Sequence, residues 1–132
     1  MSDQRTILII DDSEDEIRLT ERVLSRVAPE LRIESALSGE EGLARLRSSR
    51  TLPLLTLLDL KMTGISGLET LRRIRADEGL KNLFVAIVTN SNLDSDRCKA
   101  MEAGANAFLP KVFDMDRFGS DIKSLLQRLT GD

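Results

Sequence analysis

The chain of 132 residues contains no histidine. No imidazole is therefore present for serine–histidine or cysteine–histidine catalysis, for metal ligation or for accepting a phosphoryl group. A single cysteine, Cys98, excludes an internal disulfide, and a lone thiol suits a reducing compartment. As a small apolar residue, Cys98 is expected in the core. With one thiol and no imidazole, zinc has few suitable ligands, so any metal should be a hard one held by oxygen. No apolar run approaches the roughly 20 residues of a membrane span, and "MSDQRTILII" has neither a signal core nor a cleavage site. No membrane partner and a cytoplasmic location are therefore expected. Basic residues are not in excess: 19 stand against 22 acidic ones, for a net charge of −3. That balance lacks the basic footprint of a DNA-binding protein.

What is present is enough apolar sequence for one core. Apolar residues make up 41% and charged residues 31%, as in ordinary globular proteins. The length fits one compact domain over 1–132, and no output domain is expected after the last helix. Candidate strands are Thr6–Ile10, Arg32–Ala36, Leu54–Leu58, Leu83–Val88 and Asn106–Leu109. The third and fourth are apolar almost throughout, as in strands covered on both faces, whereas Leu31-Arg32-Ile33-Glu34 alternates and reads as an edge. Between them lie amphipathic stripes: Ile17, Val23, Leu24 and Val27; Leu43 and Leu46; Leu68, Leu71 and Ile74; a shorter one at Met101 and Ala103; and Phe118, Ile122, Leu125, Leu126 and Leu129. Ser13 with Glu16 and Ser38 with Glu41 match capping boxes, and Gly104 reads as a helix stop. Five β-α repeats predict an α/β fold: a flavodoxin-like three-layer sandwich with a parallel sheet in order 2-1-3-4-5. Ligands in such folds bind beyond the carboxyl ends of the strands.

The residues at those ends are Asp11 and Asp12 after strand 1, Asp59 after strand 3, Thr89 after strand 4 and Lys111 after strand 5. Singly, each has an ordinary explanation as a helix cap, a turn former or a solvated lysine. Together they form a cluster that needs compensation, because two unit charges ~4 Å apart repel by about 4 kcal/mol at an effective dielectric of ~20. Lys111 and one divalent cation would balance three carboxylates. Mg2+ suits an all-oxygen site, and a cation beside an aspartate suits phosphoryl transfer onto that aspartate. Asp59 would attack, Asp11 and Asp12 would hold the metal with it, and Thr89 and Lys111 would contact phosphoryl oxygens.

"ILIIDDS", "LTLLDLKMTGISGLE", "VAIVTNS" and "GANAFLPKVF" resemble, in order and spacing, the receiver domain of two-component response regulators. The resemblance implies that Asp59 is the phosphoacceptor for a sensor histidine kinase or histidine phosphotransfer protein. It implies a switch in which Thr89 moves toward the phosphate while Phe108 swings inward, and a tuning role for Lys61 and Ser91 in phosphoryl lifetime. It further implies a downstream protein target contacted through the fourth helix, fifth strand and fifth helix, a face that also allows a homodimer. A stand-alone regulator is expected, and "RADEGLKNLF" is similar to regulators of bacterial phytochrome kinases. Two positions depart from the family: Thr63 and Val112 stand where proline is usual. The second departure leaves the isomer of the Lys111–Val112 bond open.

Other readings fit less well. A phosphatase of the haloacid dehalogenase type needs a second aspartate two residues after the nucleophile, where Lys61 stands. A flavodoxin needs a neutral phosphate loop, where "DDSEDE" carries five acids. A receiver-like scaffold that works without phosphorylation is compatible with the same residues.

Overall fold

Ile7, Leu8, Ile9 and Ile10 are all at most 3% exposed. In an extended chain, successive side chains point to opposite faces, so four buried in a row require a sheet covered on both sides. The computed structural model, which describes residues 5–90, 93–111 and 115–131, shows that arrangement. Strands β1 (Thr6–Ile10), β2 (Arg32–Ala36), β3 (Leu55–Asp59), β4 (Val85–Thr89) and β5 (Ala107–Pro110) alternate with helices α1 (Glu14–Val27), α2 (Gly39–Ser48), α3 (Gly67–Ala76), α4 (Asp94–Glu102) and α5 (Met115–Thr130). All strand pairs are parallel, in the order β2-β1-β3-β4-β5. The flavodoxin-like topology expected from the sequence is therefore present. β2 lies at one edge, as its alternating sequence implied, and β5 lies at the other, where Pro110 removes no hydrogen bond from a central ladder.

Strand alternation divides the core in two. Ile7, Ile9, Leu55, Leu57, Ala86 and Val88 pack with Ile17, Val23 and Leu24 of α1 and Phe118, Ile122 and Leu125 of α5. Leu8, Ile10, Leu58, Val85 and Ile87 pack with Leu43 and Leu46 of α2, Leu71 and Ile74 of α3 and Ala100 of α4. Ser13 and Ser38 cap their helices, accepting from the Glu16 and Glu41 amides at 3.3 and 3.0 Å. A third box, Ser66 with Glu69 at 3.1 Å, starts α3 in a loop whose capping pattern went unread in the sequence.

The fourth helix differs from its expected stripe. Met101 is 44% exposed, Ala103 lies at the C-cap, and α4 buries only Ala100. Cys98 is exposed on this helix rather than buried. Asp94, Ser95, Asp96, Arg97 and Lys99 leave α4 polar nearly all round, so small Ala100 faces the sheet. Cys98, two positions earlier, is turned about 200° away.

At the opposite end of the sheet, the β4 run begins two residues later than Leu83. The Leu83 amide closes a turn onto the Leu80 carbonyl at 2.9 Å, and the Leu83 carbonyl accepts from the Arg75 guanidinium at 2.8 Å. Arg75 also donates to the Gly104 carbonyl at 2.9 Å and to Asn106 Oδ1 at 2.8 Å. Gly104, the expected stop after α4, has φ +106°, and a Cβ there would crowd the Arg75 side chain at 3.0 Å.

Candidate functional site

β1 ends by delivering two carboxylates. The Asp11 amide continues the pairing with β2 through the Ala36 carbonyl at 3.1 Å, which places the Asp11 side chain at the sheet end, 3% exposed. Asp11 Oδ1 accepts from the Ser13 amide at 3.0 Å, and Oδ2 accepts from Lys111 Nζ at 2.8 Å. Asp12 turns toward the loop after β3, where its Oδ2 accepts from the Thr63 amide at 2.9 Å and the Thr63 hydroxyl at 3.2 Å. Asp59 is the last residue of β3. Next to it, the Gly67 amide donates to the Leu60 carbonyl at 2.9 Å, and a side chain at Gly67 would collide with the Asp59 carbonyl oxygen. Glycine there lets α3 start against the strand end. One carboxylate oxygen from each of Asp11, Asp12 and Asp59 lies within 4.8 Å of the others.

Lys111 approaches from β5. Its amide donates to the Thr89 carbonyl at 2.7 Å, which carries the parallel pairing one residue past Pro110. Its ammonium lies between Asp11 and Glu16 Oε1, the latter at 3.0 Å. Thr89, 2% exposed, ends β4 one residue beyond Val88, the partner of Asp59 in register.

The charges strain one another. Burial raises the Asp59 pKa from 3.8 to about 6; Lys111 opposes the rise, Asp11 and Asp12 add to it, and the Leu60 amide opposes it. Burial works against the Lys111 ammonium, but the Asp11 hydrogen bond, the charges of Asp59 and Asp11 and the Glu16 hydrogen bond together lift its pKa above the ordinary value. Three carboxylates around one ammonium form an oxygen-only donor set with residual negative charge. Such a set fits a hard divalent cation such as Mg2+ or Mn2+.

A sequence profile of the response regulator receiver domain matches residues 7–123. The chain belongs to the response regulator receiver family. Among curated relatives, the response regulator PleD of Caulobacter vibrioides is 32% identical over 119 residues, which are 90% of this chain and 25% of PleD. The CpxR homolog of Haemophilus influenzae is 35% identical over 123 residues, 92% of this chain and 50% of the relative. The receiver thus spans a quarter to about half of the length of the first curated relatives it matches. Among solved structures, the Mn2+-bound form of the response regulator Rcp1 superposes with a TM-score of 0.75 at 25% identity, covering 93% of this chain and 92% of that one.

In this receiver Asp11, Asp12, Asp59 and Lys111 converge as the strand-end pattern anticipated, and Thr89 ends the strand beside them. Phe108, on β5, is half-buried, with the Arg97 guanidinium carbon 5.8 Å from its ring centroid. Lys61 is exposed, and its ammonium lies 3.9 Å from Asp96 of α4. Ser91 and the Lys111–Val112 bond lie outside the described residues. Two participants were missed. Glu16 was read as a capping-box acid, yet its carboxylate is the second partner of Lys111. Thr63 was noted as a departure from proline, yet it donates twice to Asp12. The signal for Thr63 was available: any residue other than proline restores an amide N–H at that point.

Proposed function

We propose that this receiver takes a phosphoryl group onto Asp59 from the phosphohistidine of a sensor histidine kinase or a histidine phosphotransfer protein, and that the new charge alters its contacts with a downstream protein. The observation that carries this reading is the half-buried Asp59 carboxylate, grouped with Asp11 and Asp12 and facing the field of Lys111. In the reaction an Asp59 oxygen attacks phosphorus while the donor histidine nitrogen departs with the N–P bonding pair and takes up a proton. Asp59 must be ionised to attack, and a pKa of about 6 leaves it mostly so at neutral pH. Asp11, Asp12 and Asp59 would hold a magnesium ion, which would supply positive charge against the carboxylates and the phosphoryl oxygens. Lys111 then shifts part of its pairing from Asp11 to a phosphoryl oxygen, and the Thr89 hydroxyl donates to another. In hydrolysis water attacks phosphorus, the Asp59 oxygen leaves with the bonding pair, and inorganic phosphate is released. Lys61 and Ser91 set the access of that water.

The phosphoryl group biases a two-state element made of Thr89 and Phe108. Leu93, the N-cap of α4, and Met101 are exposed apolar residues, so the face of α4, β5 and α5 is the proposed contact surface for a downstream protein or a second copy of the chain. The test is intact mass after incubation with Mg2+ and a small phosphodonor. One adduct of about 80 Da, the mass of a phosphoryl group, is expected on the native chain and none on Asp59→Asn. No adduct on the native chain, with a small donor or a phosphorylated histidine domain, would leave a scaffold that works without phosphorylation.

A further inference from the structure

The Asp12 carboxylate is held by one residue 51 positions away. Thr63 presents two donors, its amide at 2.9 Å and its hydroxyl at 3.2 Å, and both reach the same oxygen, Oδ2. An amide and a hydroxyl from one residue define a direction as well as a distance, so they fix the carboxylate plane more firmly than one donor would. The residue after Thr63 turns the loop: Gly64 has φ +75°, a backbone conformation that L side chains rarely adopt. The loop that follows β3 is thereby fastened to a carboxylate in the segment between β1 and α1. A ligand carboxylate whose orientation is set by hydrogen bonds binds metal more tightly than one that must be ordered on binding.

We propose that Thr63 is a positioning residue for the cation site, orienting Asp12 through Oδ2 and coupling the β3–α3 loop to metal binding. The inference rests on the cation site proposed above, and the test separates the two. Magnesium dissociation constants are measured by calorimetric titration of the full chain without phosphodonor, for the native protein and three variants. Thr63→Ser keeps both donors and should bind as the native chain does. Thr63→Val keeps the amide and loses the hydroxyl, with an expected weakening of about threefold. Thr63→Pro loses both, with an expected weakening of about tenfold, the lower end of the effect of removing partners of metal ligands. Thermal unfolding in chelator provides the control, since a merely structural role would lower the midpoint without this order of affinities. If Thr63→Pro fails to fold, Thr63→Val and Thr63→Ser still decide the matter. Native-like or tighter binding by Thr63→Val and Thr63→Pro, with magnesium bound by the native chain, overturns the role of Thr63 and leaves the site standing. No binding by the native chain overturns both.

Discussion

Helices α1 and α4 both start at the carboxyl end of the sheet, on opposite faces, and they are held there by different means. α1 has a side-chain cap at Ser13, three acids in its first turn and a basic residue in its last, and it buries Ile17, Thr20, Val23 and Leu24. It also contributes Glu16 to Lys111. α4 has no side-chain cap at Leu93 and buries only Ala100. Its ties toward the site include the 3.9 Å Lys61–Asp96 pair, with the Lys61 side chain 71% exposed and that of Asp96 18% exposed, and Arg97 over Phe108. An ion pair whose lysine is this exposed contributes only about 0–1 kcal/mol. Local opening is least costly where few apolar contacts must be broken. The α1 wall of the site is therefore tied by more buried residues than the α4 wall, and the phosphoryl charge proposed for Asp59 would act between them.

The largest way to break this comparison is to cut the tie on the α1 side. Lys111→Met leaves buried Asp11 without its ammonium, and removing one partner of a buried pair costs about 3 kcal/mol. Urea unfolding at pH 7 should show that loss, and a change near zero would mean the α1 wall is not held through Lys111. A smaller effect comes from Asp59. Because its folded pKa, about 6, lies above 3.8, the folded state holds the proton more tightly than the unfolded chain does. Stability therefore falls as pH rises between about 4 and about 6, and the loss is complete above that range. In chelator, Asp59→Asn should gain on the order of 1 kcal/mol at pH 7.5, after allowance for solvent screening. The gain should vanish below about pH 4 and shrink when Mg2+ is added; a gain independent of pH would refute the assignment. The smallest effects sharpen the contrast between the helices. Ser13→Ala should cost about 1 kcal/mol, whereas Leu93→Ser, by adding a cap, should gain about 0.5 kcal/mol. Amide hydrogen exchange should be faster along α4 than along α1 in the native chain, and Leu93→Ser should slow it in α4 alone. Equal protection of the two helices would contradict the comparison.

The sequence was most legible where signals are local. The apolar runs ending at Asp11 and Asp59 marked central strands because burial on both faces needs unbroken hydrophobicity. The boxes at Ser13 and Ser38 marked helix starts because a cap acts over three residues. It was least legible at α4, whose nine residues carry no apolar stripe, so Met101 was placed inside and Cys98 in the core when both are exposed. Among the site residues, Glu16 satisfied a capping pattern and gave no hint of a second use, because Lys111 is distant in the chain.

By itself the sequence determined that a doubly covered parallel sheet forms, and that Asp11, Asp12, Asp59, Thr89 and Lys111 stand at its strand ends. Both follow from where hydrophobic runs are interrupted by polar residues. Only the tertiary structure decided how those groups pair: Lys111 with Asp11 across 100 residues and with Glu16 across 95, and Thr63 with Asp12 across 51. Hydrogen bonds form over about 3 Å, and only the crossovers that set neighbouring strands side by side bring residues so remote in the chain within that distance.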